Sequence, residues 1–327
     1  MSPRTGRWIR FLLGLVLSAA GLFLALRNVD WTALGMALRQ VDVGWLLAAV
    51  VAEMLTIWVN AMRWRLLFWP HHQPRVGWLF GILNVAQLAN TVLPGRLGLP
   101  LRALLVGEGV EITGTMALST LAVEKALEGV TLLPVGIVLF LILDLPDWLR
   151  GSVLLSASVL LGLLLLIGGG LLWREQLHGW ISRWSVGWLA RIGRSLLEGL
   201  DSLRSARVGW RLWTWSWIYW AVVAAVNGLV IRAVGLDVPP LSALVLFFVL
   251  QIGVRLPASP GSLGVFEYLG VASLGLMGAD KAPALAATLV LHAVLYLPPS
   301  LVGAGYLLGS SIDLGQLRQA VTTVQDR

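Results

Sequence analysis

Residues 255–264 read RLPASPGSLG, which sets Pro257, Pro260, Gly261 and Gly264 beside Arg255 in a region otherwise apolar enough to be helix in lipid. Proline lacks the amide hydrogen that a helix interior uses, and glycine loosens the backbone, so this run ends one helix and starts another. The pattern occurs twice. Pro94-Gly95-Arg96-Leu97-Gly98 and Pro260-Gly261-Ser262-Leu263-Gly264 both spell PGxLG, about half the chain apart. In a chain with 36 glycines, chance repetition is the competing reading. The direction from which each copy enters the membrane separates the two readings.

That a membrane is involved follows from composition. The chain is 57% hydrophobic and 13% charged, with a mean hydropathy of +0.82, whereas soluble domains carry about 25% charged residues. Zero cysteines exclude thiol chemistry and disulfides, and four histidines leave little for a metal cluster. The pair His71-His72 lies in a basic, Trp-flanked loop and reads as solvated surface. No metal and no cofactor is expected. A net charge of +7 could suit nucleic acid, but most arginines flank apolar spans instead of forming one basic face with stacking aromatics, so no nucleic-acid partner is expected.

A span needs roughly 20 apolar residues. Six stretches qualify, at 8–26, 43–62, 115–143, 151–173, 211–234 and 283–309. The first is too long for a signal-peptide core and reads as a retained span. Two further stretches, 77–107 and 240–278, each hold a PGxLG break and read as re-entrant hairpins. With that topology fifteen arginines, Arg63 and Arg65 among them, fall on the cytoplasmic side, as do both termini. The outside receives only Arg27, Arg39, Arg150, Arg232 and Lys281. The first hairpin then enters from the cytoplasm and the second from outside. Inverted repeats with broken helices are a transporter plan.

The expected fold is therefore an all-α polytopic membrane protein: about six transmembrane helices plus two oppositely oriented re-entrant hairpins, in one transmembrane domain over 1–327. A cytoplasmic amphipathic helix is expected at about 186–206, where Leu189, Ile192, Leu196, Leu200 and Leu203 recur at helical spacing. Trp210, Trp213, Trp215, Trp217 and Trp220 follow it and read as interfacial anchors; a Trp-rich cofactor box is the rival reading.

Polar groups inside apolar spans cost ~2.5–3.5 kcal/mol each at the bilayer centre unless paired or wet, so they mark candidate sites. Asn84, Gln87 and Asn90 form a loose stripe at i, i+3 and i+6 on the first hairpin, followed by Arg96 and Arg102. Glu124, Lys125 and Glu128 sit in the third span, with the two carboxylates one turn apart. Gln251, Arg255 and Glu267 belong to the second hairpin. Pairing with arginines is the default for such carboxylates, because an unpartnered buried one is costly. A guanidinium left over could grip a phosphate through two parallel hydrogen bonds. Ser259 is placed to cap a helix beginning at Pro260 and leave free amides for an anion, with Ser262 beside it; an ordinary Pro/Gly helix break is the alternative. Glu53 and His292 read as helix-contact residues.

At these residues the chain resembles the UPF0104 family, the lysylphosphatidylglycerol synthase transmembrane or flippase-like family. The resemblance rests on Asn90-x3-Pro94-x-Arg96-x-Gly98-x3-Arg102, on Glu124-Lys125-x2-Glu128 where relatives commonly have Glu-Arg-x2-Asp, and on Pro257-x2-Pro260-Gly261-x2-Gly264-x2-Glu267. Leu99 stands where relatives often carry Asp, so any headgroup or ion contact made by that acid is not carried over. The resemblance implies a bacterial or archaeal membrane domain tied to flipping aminoacylated phosphatidylglycerol or to isoprenoid, glycan or hopanoid pathways. With about 18 residues after Gly309 and no aminoacyl-transferase domain, the chain is not expected to make lysyl-lipid itself.

The expected function is flippase-like translocation of a phosphate-bearing lipid (phospholipid, aminoacylated phosphatidylglycerol or isoprenoid-linked lipid), in the bacterial inner membrane and without enzymatic activity. Arg96, Arg102, Arg255, Ser259 and Ser262 would meet the headgroup; Glu124, Lys125, Glu128 and Glu267 would pair or relay charge; Asn84, Gln87, Asn90 and Gln251 would line a polar cleft. The expected partners are an anionic or isoprenoid lipid, and beyond it a second copy or enzymes of a lipid pathway. The alternative is an integral-membrane enzyme or accessory subunit acting on a lipid phosphate or an isoprenoid or hopanoid pathway.

Overall fold

The computed structural model describes residues 3–70, 72–93, 97–110, 114–143, 151, 158, 161–162, 168–169, 172–181, 205–253 and 259–310. Regular structure among them is helical: α1 (Pro3–Leu26), α2 (Trp31–Arg39), α3 (Val43–Leu67), α4 (Val76–Val92), α5 (Gly98–Val110), α6 (Gly114–Ile142), α7 (Arg174–Ile181), α8 (Ala206–Val234), α9 (Ser242–Gly253), α10 (Val265–Leu276) and α11 (Lys281–Gly309). A three-residue 3₁₀ turn at Pro260–Ser262 precedes α10.

Helices α3, α6, α8 and α11 are long and apolar enough to cross a membrane, and they cover the expected spans at 43–62, 115–143, 211–234 and 283–309. α1 and α2 pass the same test as a pair but bend by 90° between them, giving a fifth candidate. The bend has a local cause. Asn28 takes a left-handed backbone (φ 58°), and Asp30 then starts α2 by accepting from the amides of Thr32 at 2.9 Å and Ala33 at 3.0 Å. Asp42 starts α3 in the same way, from Gly44 and Trp45. The span expected at 151–173 and the amphipathic helix expected at 186–206 fall mostly outside the described residues.

Both PGxLG sites fall at gaps between helices. The gaps are those between α4 and α5 and between α9 and α10, and α4, α5 and α9 are shorter apolar helices. Two compact units emerge. One comprises Met1–Ile57, Leu83–Gly98 and Ala221–Arg327, the other Trp58–Ile82 and Leu99–Trp220.

In the first unit α10 packs on α1, α9 and α11, and α11 also packs on α2. Small residues permit the close approach, as expected where helices associate without a hydrophobic driving force. A Cβ on Gly264, which holds φ +86°, would overlap the carbonyl of Ser18 in α1. One on Gly303 of α11 would strike the Asn84 backbone of α4.

The second unit buries Trp64, Phe68, Leu79, Ile82, Leu121, Leu139 and Leu212. Indole N–H groups stitch its polar interior: Trp64 Nε1 donates to Thr120 Oγ1 at 3.2 Å and Trp220 Nε1 to Thr131 Oγ1 at 2.8 Å. Trp220 is thus a buried packing residue, not the interfacial anchor its place in the Trp-rich run suggested, whereas Trp210 is exposed.

Because Gly303 lies against backbone while Gly305, two residues on, has open space, leucine should discriminate between them. Gly303→Leu is expected to cost about 2 kcal/mol, lowering the midpoint of thermal unfolding in detergent, and Gly305→Leu to leave it unchanged.

Candidate functional site: a buried charge cluster

Helix α6 carries Glu124, Lys125 and Glu128 through the interior of the second unit. Glu124 is 0% exposed, so in an apolar medium it requires a cation. Arg102 of α5 supplies it: Nη2 lies 2.6 Å from Oε2 and Nη1 3.3 Å from Oε1, a two-point pairing of guanidinium and carboxylate. The guanidinium also stacks 4.1 Å above the Trp64 ring of α3. One turn along α6, Glu128 takes a different partner. Lys125 Nζ reaches both of its oxygens, at 2.9 and 2.8 Å, with Glu128 buried and Lys125 half-exposed. The carboxylates that share a helix face therefore do not share a ligand. Among the described residues no group of three or more His, Cys, Asp or Glu is placed to hold a metal ion.

Arg63, expected among the arginines of the cytoplasmic side, is buried in the same unit and joins this cluster. α3 continues past Met62 to Leu67, and Arg63 is only 1% exposed. Its Cζ sits 4.8 Å from the Tyr219 ring centre, its Nη1 is 3.5 Å from Asn60 Oδ1, and the next residue, Trp64, carries the ring over which Arg102 lies. Sequence reasoning missed it because the span was ended at Met62, five residues before the helix ends at Leu67. The signal available was Asn60 one turn before Arg63, a polar pair inside an apolar helix.

In the first unit the second break has its own polar centre. Glu267, in the first turn of α10, accepts from the Gly264 amide through Oε2 at 2.5 Å and meets His292 Nδ1 of α11 through Oε1 at 2.5 Å. His292 makes tilted ring contacts with Phe266 and Tyr296, with ring centres 4.6 and 4.5 Å away. It is therefore a specific partner of Glu267, a pairing that sequence reasoning, which looked for an arginine, did not find.

Ser259 does not cap a helix at Pro260. The turn there is only three residues long, Gly261 and Ser262 both take left-handed backbone (φ 66° and 59°), and the Ser259 side chain makes no capping bond. Its hydroxyl donates to Leu263 O at 3.1 Å and its amide to Ser18 Oγ at 2.8 Å. Ser262 is buried in the turn. The α-helix begins after Gly264, capped by Glu267 in place of a serine.

The amide stripe of α4 is engaged within the first unit. Asn90 Oδ1 accepts from Gly98 N at 2.8 Å across the first break, where a Cβ on Gly98 would lie 2.5 Å from Ala86 O. Gln87 Nε2 reaches Leu295 O at 3.5 Å, and Asn84 is fully buried. Gln251 is half-buried in the last turn of α9. Pro94, Gly95, Arg96, Arg255 and Pro257 lie outside the described residues.

Comparison with known proteins places this arrangement. The family model described as the lysylphosphatidylglycerol synthase TM region matches residues 11–303, so the chain belongs to that family. It is also similar to glycosyltransferase AglD of Haloferax volcanii, at 25% identity over an alignment covering 99% of this chain and 58% of that protein. The chain thus spans little more than half the length of that relative. No solved structure matches it.

Two predictions follow from the pairings. Glu124→Gln leaves the Arg102 charge buried without its anion and is expected to cost about 3–5 kcal/mol, much of it recovered in the Arg102→Met, Glu124→Met double variant; thermal unfolding in detergent measures both. At the second break, Glu267→Gln keeps an acceptor for Gly264 and should lose roughly 1 kcal/mol, while Glu267→Leu, which removes both bonds, should lose about 3 kcal/mol.

Proposed function

We propose that this protein moves a phosphate-bearing lipid between leaflets of a bacterial cytoplasmic membrane, with the buried cluster on α3, α5 and α6 meeting the headgroup. The observation that carries the reading is the set of buried charged side chains on α3 and α6, helices long and apolar enough to span a bilayer, and on the shorter apolar helix α5 between them in sequence. Such groups are costly in lipid and are retained where a polar substrate must pass. Membership of a family named for the membrane region of a lipid synthase supports a lipid substrate.

In this reading Arg102 and Glu124 form the wall against which the headgroup moves, and Lys125 with Glu128 forms its half-exposed edge. Arg96 and Arg255 bring cations to the two helix breaks, with Ser259 and Ser262 beside the second. Opposed re-entrant hairpins would let a headgroup enter from either side while its tails stay in hydrocarbon. Both termini are cytoplasmic, and a second copy or enzymes of a lipid pathway are the further partners.

The relative's name, glycosyltransferase, favours a second reading: the chain is the membrane part of an enzyme acting on a lipid-linked phosphate. The two separate in one experiment. In vesicles holding headgroup-labelled phosphatidylglycerol, the full chain should speed exposure of inner-leaflet label to a membrane-impermeant quencher, and Glu124→Gln should slow it about tenfold, a barrier change of about 1.4 kcal/mol. Unchanged exposure across a panel of anionic lipids, together with product formation from a sugar donor in detergent, would overturn the translocator reading in favour of the enzyme.

A further inference from the structure

We infer that Arg63 is the anion-binding residue of the cluster and that its ligand is a phosphate ester carrying a single negative charge. The inference deepens the translocator reading and rests on it for the lipid source of that phosphate.

The neighbouring cations already have their anions. Both oxygens of Glu124 are held by Arg102 and both oxygens of Glu128 by Lys125. Arg63 has no carboxylate within ion-pair distance among the described residues. What it has are the Tyr219 ring face, one long contact to the neutral Asn60, and an Nε with no hydrogen-bond partner there. A guanidinium presents five N–H donors in a planar fork, and the described residues engage few of them although Arg63 is 1% exposed.

Charge balance gives the same result. Among the described residues Arg63, Arg102 and Lys125 stand against Glu124 and Glu128, and with the last two cations paired to the two carboxylates the buried Arg63 is left without a counter-charge. A phosphodiester brings one negative charge and two oxygens spaced for the guanidinium fork. A neutral headgroup would leave the charge uncompensated, and a carboxylate of this chain is not supplied to it by the described residues. Tyr219 and Asn60 then hold the guanidinium in place, and Arg102, tied by two contacts to Glu124, is a positioning residue for the cluster.

The test compares stability with and without lipid, using the full chain in an uncharged detergent. Short-chain phosphatidylglycerol is the probe, diacylglycerol the uncharged control and inorganic phosphate the headgroup-free control. Wild type should be stabilised by phosphatidylglycerol and not by diacylglycerol. Stabilisation by inorganic phosphate equal to that by the lipid would make free phosphate the source and overturn the lipid assignment. Arg63→Met removes the uncompensated charge, so without lipid it should unfold no earlier than wild type, while its affinity for phosphatidylglycerol falls about tenfold or more. Arg63→Lys keeps the charge without the fork and should bind about threefold or more weakly than wild type. An Arg63→Met protein that is destabilised or unfolded without lipid, or that binds phosphatidylglycerol as wild type does, overturns the inference, because Arg63 then serves the fold alone. Equal binding by Arg63→Lys also overturns it. Since binding in detergent needs no second leaflet, a wild type that binds through Arg63 but moves no lipid in vesicles would defeat the translocator reading and leave this one standing. A protein that moves lipid with Arg63→Met as fast as without it would do the reverse.

Discussion

A charge inside hydrocarbon has to be answered within a few ångströms, and the second unit is organised around that requirement. The two-point pairing of Arg102 with Glu124 fixes α5 against α6, since a guanidinium and a carboxylate meet in this way over a narrow range of positions. Trp64 covers the guanidinium from α3 and is itself anchored to Thr120 on α6. Three helices are thus tied through one ion pair and one indole. Replacing such a pair by apolar side chains is often neutral or favourable in other proteins, whereas removing one partner alone leaves a buried charge unanswered.

The sequence announced the interruptions of the helices more clearly than their contacts. Two PGxLG runs predict interruptions for reasons contained in their own residues, a missing amide and a freed backbone, and they fall at the gaps between α4 and α5 and between α9 and α10. The long spans were equally legible, because apolar length is all a bilayer requires. Partner choice was not. That Glu124 takes Arg102 while Glu128, one turn away, takes Lys125 depends on where α5 lies, and no local pattern contains that. His292 looked solitary because its carboxylate partner is 25 residues away on another helix.

Two misreadings have instructive causes. Arg63 was passed over as a site residue because arginine near the end of an apolar run usually flanks a span; the α3 helix runs on to Leu67 and buries it within the protein. Ser259-Pro260 has the local look of a helix start. The left-handed backbone at Gly261 and Ser262 redirects the chain within one turn, and the helix begins only after Gly264, whose own φ of +86° and position against Ser18 leave no room for a side chain. The second glycine of PGxLG is thus required by a tertiary approach to α1, which the motif alone could not disclose.

Glu267 divides its two oxygens between different elements, one on the Gly264 amide and one on the His292 ring. A carboxylate used in this way acts as a mechanical linkage. Any displacement of the break that pulls on Gly264 is passed to α11 through the imidazole, and any rotation of His292 loosens the opening turn of α10. Within this unit a kink and a full-length helix are geared together by one side chain, so the break has no independent play.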